Sequence, residues 1–208
     1  MNGVLNIFKP KGMSSFDAVR VVKKVAGTGK VGHTGTLDPE ATGVLPICIG
    51  RATKIIDYIM DSEKVYEVTL KLGIRTTTYD LEGEVLEERD PSHLTEEEIL
   101  NSINSFKGEY SQIPPMYSAL KQNGVRLYEL ARKGIEVERK GRLVNIYNLE
   151  DIKINNPYIS MKVTCSKGTY IRSLCYDIGE KLGVFATMTQ LNRAKTSVFS
   201  QEKSININ

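Results

Sequence analysis

The stretch GHTGTLDPEATGVLPICIGRATK, residues 32–54, joins a loop rich in glycine and threonine to an apolar run. The run, residues 44–49, has the length and composition of a buried strand, and residues 52–60 after it are predicted to form a helix. Asp38 stands directly before Pro39, and a proline keeps the residue before it out of the helical region. Glycines on both sides allow a large ligand to approach the backbone closely. The residues alone favour two interpretations equally, a carboxylate presented in a cleft and a simple turn.

Part of this region resembles a phosphate-binding loop. Residues 27–34, GTGKVGHT, differ by one residue from the pattern G-x-x-x-x-G-K-[ST], because His33 occupies the lysine position. The motif needs a strand before it and a helix after it. Here a helix is predicted before it, and Asp38 and Pro39 follow where the second helix should begin. We therefore exclude a nucleoside triphosphatase.

Length and composition bound the remaining classes of protein. The chain has 208 residues, of which 40% are hydrophobic and 25% charged, and this length allows one sizeable core or two small domains. No apolar run approaches the roughly 20 residues of a membrane helix. Residues 1–11 contain no long apolar stretch and no small-residue cleavage site, so we do not expect export. Cys48, Cys165 and Cys175 form no paired motif, so we expect buried thiols in a reducing cytoplasm rather than a zinc site or disulfides.

Charge is distributed unevenly along the chain. Residues 80–98 contain nine acids and one base, Arg89, whereas the rest of the chain carries 27 Lys and Arg against 16 acids. Such asymmetry is typical of a protein with a polyanion-binding face and an acidic opposite face, although many solvated surfaces share it.

The other predicted elements mix helices and strands without a regular alternation, which favours an α+β fold with a mixed sheet. The alternating segments 65–72 and 159–165 predict half-buried strands. Capping residues at Ser14 or Ser15 and at Thr95 begin two helices. The remaining predictions are a strand at 3–8, a first-helix face made by Ala18, Val21, Val22 and Val25, a loop at 28–43, a short helix at 127–133, and a last-helix face made by Ile171, Leu174, Cys175, Ile178 and Leu182.

Five blocks of sequence together resemble one enzyme family, the TruB-type tRNA pseudouridine-55 synthases. One is the stretch quoted at the start. The others are FKPKGMSS (8–15), KVYEVTLKLG (64–73), PPMYSALKQNGVRLYELARKG (114–134) and CSKGTYIRSL (165–174). The similarity runs from near the N-terminus to about residue 191, and several blocks are specific to this family among pseudouridine synthases.

The resemblance implies the fold and the activity. The expected fold is the α+β pseudouridine synthase fold, a mixed, mostly antiparallel central sheet flanked by helices and loops. Residues 1–208 would form one catalytic domain with an RNA-binding insertion at about 105–142, without the family's usual C-terminal PUA-like extension. The expected activity is isomerisation of uridine 55 in the T-loop of tRNA. The resemblance implies a cytoplasmic monomer that binds the T-arm of tRNA, with no cofactor, no metal, no membrane contact and no obligate protein partner.

The resemblance also assigns roles to individual residues. Asp38 corresponds to the catalytic aspartate. The substrate-binding residues would be Tyr66, which stacks on the flipped uracil and assists removal of the C5 proton; Arg172, which pairs with the aspartate; His33, which wedges into the RNA; Tyr170 and Leu191, which line the uracil pocket; and Lys9, which lies near the site.

Pattern alone favours plainer interpretations of three of these residues. Tyr66 falls on the apolar side of its strand and would ordinarily be core. Arg172 lies off the apolar face of its helix and would ordinarily be solvated, and His33 would be a surface turn residue. At the level of function, two alternatives remain, a tRNA-folding chaperone with dispensable catalysis and the catalytic subunit of a guide-RNA particle. The set of Asp38, Tyr66 and Arg172 favours catalysis over a chaperone alone.

Overall fold

The computed structural model describes residues 1–207, which divide into two units. The first unit comprises Met1–Glu67, Lys162–Lys167 and the segment from Gln190 onward. The second comprises Val68–Met161 and Gly168–Thr189.

Helices and strands alternate irregularly along the described chain, as the sequence predicts. The strands are β1 (Gly3–Lys9), β2 (Val31–His33), β3 (Thr42–Ile49), β4 (Lys64–Leu72), β5 (Ile74–Thr76), β6 (Val85–Glu88), β7 (Gly108–Gln112), β8 (Lys121–Gln122), β9 (Val125–Arg126), β10 (Arg142–Asn155), β11 (Tyr158–Cys165), β12 (Ala186–Thr196), β13 (Phe199–Ser200) and β14 (Ile205–Asn206). The helices are α1 (Ser15–Ala26), α2 (Ile56–Met60), α3 (Glu96–Asn104), α4 (Leu127–Ala131) and α5 (Ile171–Leu182), with 3₁₀ turns at Gly50–Ile55 and Gln201–Lys203.

In the first unit, β3 is the central strand of the sheet. It pairs antiparallel with β1 over the full length of that strand, from Gly3↔Ile49 to Lys9↔Gly43. It also pairs antiparallel with β2 and parallel with β12, and β1 pairs parallel with β14. Every β3 residue except Thr42 is buried, because neighbouring strands and helix α1 cover it. The predicted mixed sheet is therefore present.

Helix α1 follows its sequence signals at both ends but buries a different face. Ser14 caps it in a capping box with Asp17, and Gly27 ends it in the left-handed conformation at φ 60°. Its buried residues are Ser15, Ala18, Val19 and Val22, whereas Val21 and Val25 of the predicted face are 37% and 82% exposed. The buried set has the same helical spacing but begins at Ser15, and from Ser15 to Val22 it covers only about the first two turns of the helix.

Three other boundaries were wrong. The predicted loop at 28–43 contains the short strand β2. The predicted helix at 52–60 is a 3₁₀ turn followed by the short helix α2. The predicted helix at 127–133 ends at Ala131. A strand of three residues is too short to show a period of two, and a 3₁₀ turn shares most of its residue preferences with an α-helix.

In the second unit, β7 pairs antiparallel with β10, and β5–β6 and β8–β9 are separate hairpins. Helix α3 packs on α5, and its N-terminus is the predicted capping box of Thr95 and Glu98. The alternating residues of β4 and β11, strands with residues in both units, are buried as predicted. The segment at 105–142 begins with a sheet strand, β7, and continues as β8, β9 and α4.

Candidate active site

Asp38 lies half-buried in the loop between β2 and β3, and the backbone around it is anchored. The Ser15 hydroxyl donates to the Leu37 carbonyl oxygen at 3.0 Å and accepts from the Leu37 N–H at 2.8 Å. The Ala41 N–H donates to the Asp38 carbonyl oxygen at 3.1 Å, which closes a turn. The turn that the sequence allowed is thus present, and it anchors the backbone that carries Asp38; presentation of its carboxylate in a cleft stays a prediction.

Lys9 is fully buried at the end of β1 and holds the same loop from the other side. Its ammonium donates to the carbonyl oxygens of Pro10, Met13 and Pro39 at 2.9, 2.7 and 3.1 Å. Burial lowers the pKa of Lys9 to about 8, while the negative charge of Asp38 acts in the opposite direction. A direct contact of Lys9 with substrate stays a prediction; its hydrogen bonds fix the residue that follows Asp38.

Tyr66 lies on the buried face of β4 but has charged neighbours, unlike an ordinary core tyrosine. Burial raises the pKa of its hydroxyl, and the positive charge of the Arg193 guanidinium opposes that shift. The charge of Asp38 also acts on this hydroxyl. Asp38, Tyr66 and Arg193 therefore share one electrostatic environment within the first unit.

Arg193 is a residue of this site that the sequence interpretation missed. It is 1% exposed, and its Nε donates to the Val44 carbonyl oxygen at 2.8 Å while Nη2 donates to the Gly35 carbonyl oxygen at 3.2 Å. A usable signal was present, because Leu191 and Arg193 are two residues apart on one strand and so share a face. Leu191 itself is half-buried.

His33 ends β2 close to the start of the Asp38 loop. Its Nδ1 accepts a hydrogen bond from the Gly35 N–H at 3.2 Å, which requires that this nitrogen carry no proton. Burial, followed by the charge of Arg193, lowers the pKa of His33. The imidazole is therefore neutral at pH 7, a form that can enter stacked bases without a charge to desolvate.

In the second unit, Arg172 is buried in the first turn of α5 and is only 6% exposed, so a solvated arginine is the wrong interpretation. Its Nη1 donates to the Thr78 carbonyl oxygen at 3.0 Å, and Nη2 donates to the Tyr117 carbonyl oxygen at 2.8 Å. Nη1 also lies 3.5 Å from Oδ2 of Asp80. Asp80 belongs to the acidic stretch, yet its side chain is only 13% exposed and is the ion-pair partner of Arg172. Pairing of Arg172 with Asp38 stays a prediction.

Tyr170 caps α5 and is held through its backbone. The Gln112 side chain accepts from the Tyr170 N–H at 2.8 Å and donates to its carbonyl oxygen at 3.0 Å. Gln112 is 1% exposed, so these two bonds are shielded from water. One amide side chain thus fixes the point at which the chain enters α5.

Two other kinds of feature are absent from residues 1–207. No three His, Cys, Asp or Glu side chains in that range are grouped to hold a metal ion. None of its helices is both long and apolar enough to cross a membrane.

Two family models together match most of the chain. The model for "TruB family pseudouridylate synthase (N terminal domain)" matches residues 23–171, and that for "tRNA pseudouridylate synthase B C-terminal domain" matches residues 172–208. The chain belongs to the TruB family of pseudouridylate synthases.

Curated TruB relatives align with the whole chain. The tRNA pseudouridine synthase B of Clostridium perfringens (strain ATCC 13124) is 67% identical over 208 residues, which are 100% of this chain and 71% of that protein. The enzyme of the same name from Clostridium tetani (strain Massachusetts / E88) is 65% identical over 207 residues, or 72% of its length.

Solved structures support the same fold. A Cbf5 complex with Nop10 and Gar1 contains a chain that is 31% identical, with a TM-score of 0.76, over 99% of this chain and 52% of that one. A crystal structure titled pseudouridylate synthase shares 17% identity, with a TM-score of 0.50, over 99% of this chain and 68% of that one, and it supports the fold alone. The predicted α+β pseudouridine synthase fold is confirmed.

The residues that the TruB resemblance singles out fall in both units. Asp38, Lys9, His33, Tyr66 and Leu191 belong to the first unit, together with the missed Arg193. Tyr170 and Arg172 belong to the second, together with the missed Asp80. No finding tests the individual roles of these residues, so they remain predictions.

Proposed function

We propose that this enzyme converts uridine 55 in the T-loop of tRNA to pseudouridine, with Asp38 as its catalytic carboxylate. The observation that carries the proposal is the anchored loop that presents Asp38 beside the buried cations Lys9 and Arg193. An anchored carboxylate among positive charges suits a reaction in which a charged group must act from one fixed position. Membership of the TruB family and the names of the relatives support tRNA as the substrate.

The chemistry needs no change of oxidation state. The N1–C1′ glycosidic bond breaks, the uracil turns, and C5 bonds to C1′. The C5 proton then leaves through a base while N1 takes up a proton, so the product is an isomer of uridine. An ionised Asp38 can attack the ribose, stabilise a ribosyl cation or remove the C2′ proton. All three roles require a carboxylate held at a fixed angle to the sugar.

The uridine must leave the RNA stack before it reacts, at a cost of a few kcal/mol. Stacking on the Tyr66 ring would offset roughly 1–3 kcal/mol of that cost. A neutral His33 would occupy the space that the base leaves, while Tyr170 and Leu191 would line the uracil pocket. Arg172 would pair with Asp38 and fix its direction, because a guanidinium presents donors in a rigid fork.

Binding of the T-arm is assigned to the segment at 105–142. Lys121, Arg126, Arg132 and Lys133 of this segment are exposed, and exposed bases of this kind contact phosphates without reading sequence. The proposal also includes action as a monomer in the cytoplasm, without a cofactor or protein partner. The three cysteines are free thiols and are buried, which suits a reducing compartment.

The two alternatives have less support. The relatives at 65–67% identity are named tRNA pseudouridine synthase B, whereas the chain in the Cbf5 complex is 31% identical. The chain is therefore less similar to the chain of the Cbf5 complex than to the tRNA pseudouridine synthases, which disfavours the guide-RNA alternative. A chaperone with dispensable catalysis would not require the anchored Asp38 loop.

The test is incubation with an unmodified tRNA transcript, followed by mapping of any pseudouridine. Asp38→Asn should lower the single-turnover rate by 10²-fold or more while the Kd for tRNA stays within about threefold, because the carboxylate supplies reactivity and not affinity. Asp57→Asn, at an exposed aspartate of α2, is the matched control and should keep full activity. A rate above about a hundredth of wild type in the Asp38 variant would remove Asp38 from the chemistry, and product at another uridine would overturn the assigned position.

A further inference from the structure

Arg193 connects two separated points of the Asp38 loop. Gly35 lies three residues before Asp38 and Val44 lies six residues after it, and both carbonyl oxygens accept from the same guanidinium. The backbone of Arg193 also pairs with Gly43 in the parallel β3–β12 register. A single side chain therefore fixes the distance between the two ends of the loop.

The site requires an arginine rather than any cation. Nε and Nη2 lie on one edge of a rigid, planar group and can donate to two acceptors at once, whereas a lysine ammonium is a single point on a flexible stem. At 1% exposure, Arg193 cannot exchange these acceptors for water. A buried charge without such partners would cost several kcal/mol.

The charge of the same guanidinium also acts on the Tyr66 hydroxyl. Burial raises the pKa of this hydroxyl, and the positive charge of Arg193 opposes that rise. Tyr66 stands on β4 and Arg193 on β12, so the charge comes from outside the strand that carries the hydroxyl.

We propose that Arg193 is a positioning residue that holds the Asp38 loop in place for the reaction. This inference rests on the proposed function, since it assumes that Asp38 acts on the uridine. Arg193 itself need not touch the substrate. Its removal should impair the chemical step more than the binding of tRNA.

The first test is Arg193→Lys, which keeps the charge but loses the fork. We expect the single-turnover rate at saturating enzyme to fall tenfold or more while the Kd for tRNA stays within about threefold. Arg51→Lys, at an exposed arginine of the same unit, should change neither quantity. A full rate in a folded Arg193→Lys enzyme would overturn the proposal, and so would a loss confined to Kd.

A second measurement does not depend on activity or on the folding of an Arg193 variant. In wild-type enzyme labelled with ¹⁵N-arginine, the Arg193 Nε–H should exchange slowly with solvent in NMR, because it donates to the buried Val44 carbonyl oxygen. The Nε–H of the exposed Arg51 should exchange fast. Fast exchange at Arg193 would overturn its hold on the loop. If wild-type enzyme makes no pseudouridine, the proposed function fails, yet this measurement still decides whether Arg193 holds the loop.

Discussion

At the scale of single residues, the first unit buries three cations and partners each with main-chain oxygen. Lys9 and Arg193 bond carbonyls at the Asp38 loop, and Lys64 donates to the Met60 and Ser62 carbonyl oxygens at the end of α2. Buried charges are tolerated in proteins when they are fully hydrogen-bonded. Lys64 thus stabilises a helix end, whereas the other two shape the site.

The lowered pKa of Lys9 predicts how the stability of the enzyme changes in alkali. In the unfolded chain Lys9 holds its proton up to its ordinary pKa of 10.5, but in the folded chain only up to about 8. Between those values the unfolded state binds more protons, so this group makes the free energy of unfolding rise with pH. The gain is on the order of 1–3 kcal/mol and is complete above pH 10.5. Below pH 8 the group contributes no slope.

The measurement is urea denaturation at pH 7.5, 8.5 and 9.5, with Lys9→Met as the comparison. Other groups titrate in both proteins, so the difference between the two curves isolates Lys9. The difference should shift in favour of wild type as the pH rises. A constant difference would show that Lys9 titrates at its ordinary value. Lys11→Met, at a lysine that is 70% exposed, is the control and should run parallel to wild type.

Two substitutions of Tyr66 separate stacking from proton handling. Tyr66→Phe keeps the ring and loses the hydroxyl, so it should bind tRNA normally and stall before product. Tyr66→Leu also loses the ring and should capture the base about 5- to 100-fold less well, from a stacking energy of roughly 1–3 kcal/mol. Single-turnover kinetics with a fluorescent reporter beside the target uridine would distinguish the two steps. A fully active Phe variant would remove the proton-transfer role, and full activity of both would remove Tyr66 from the site.

At the scale of elements, the contact between β3 and β12 depends on Gly43. A Cβ on this residue would lie 2.3 Å from the Arg193 carbonyl oxygen, and its φ of +117° disfavours any side chain. Gly43→Ala should therefore lower the free energy of unfolding by roughly 2 kcal/mol or more. Gly29→Ala, where a Cβ would meet nothing within 4 Å, is the control and should change stability little. Equal effects in chemical denaturation would contradict the close approach.

Elements with strong periodicity were predictable from the sequence, whereas contacts between distant segments were not. The alternation in β4 and the capping box at Thr95 are local signals, and both are present in the structure. The buried face of α1 was misassigned because apolar residues lie on two adjacent faces of this helix. The sequence alone does not show which of the two faces the sheet covers. Asp38 and Tyr66 were identified through resemblance to TruB enzymes. The face that Arg193 shares with Leu191 was a local signal that the interpretation did not use, but its acceptors lie about 150 residues away along the chain, so its contacts could not be predicted.

At the scale of the whole molecule, charge predicts how binding responds to salt. Each phosphate contact releases counterions, so the logarithm of the binding constant falls linearly with the logarithm of the salt concentration. Replacing Lys121, Arg126, Arg132 and Lys133 together with Ala should reduce that slope by roughly 3 if all four contact phosphates. The control replaces four other exposed lysines, Lys23, Lys24, Lys153 and Lys203, and should keep the slope. An unchanged slope in the first variant would make its residues ordinary surface charges.

The use of main-chain oxygen as the acceptor for buried cations has a consequence for mutational robustness. A carbonyl group is present whatever the side chain, so substitutions at Val44, Met13 or Tyr117 do not by themselves delete the acceptors of Arg193, Lys9 or Arg172. The donors have no such protection, because one codon change removes every bond that a side chain makes. Substitutions at the acceptor positions should therefore be tolerated more readily than substitutions at the three cationic positions, Lys9, Arg172 and Arg193.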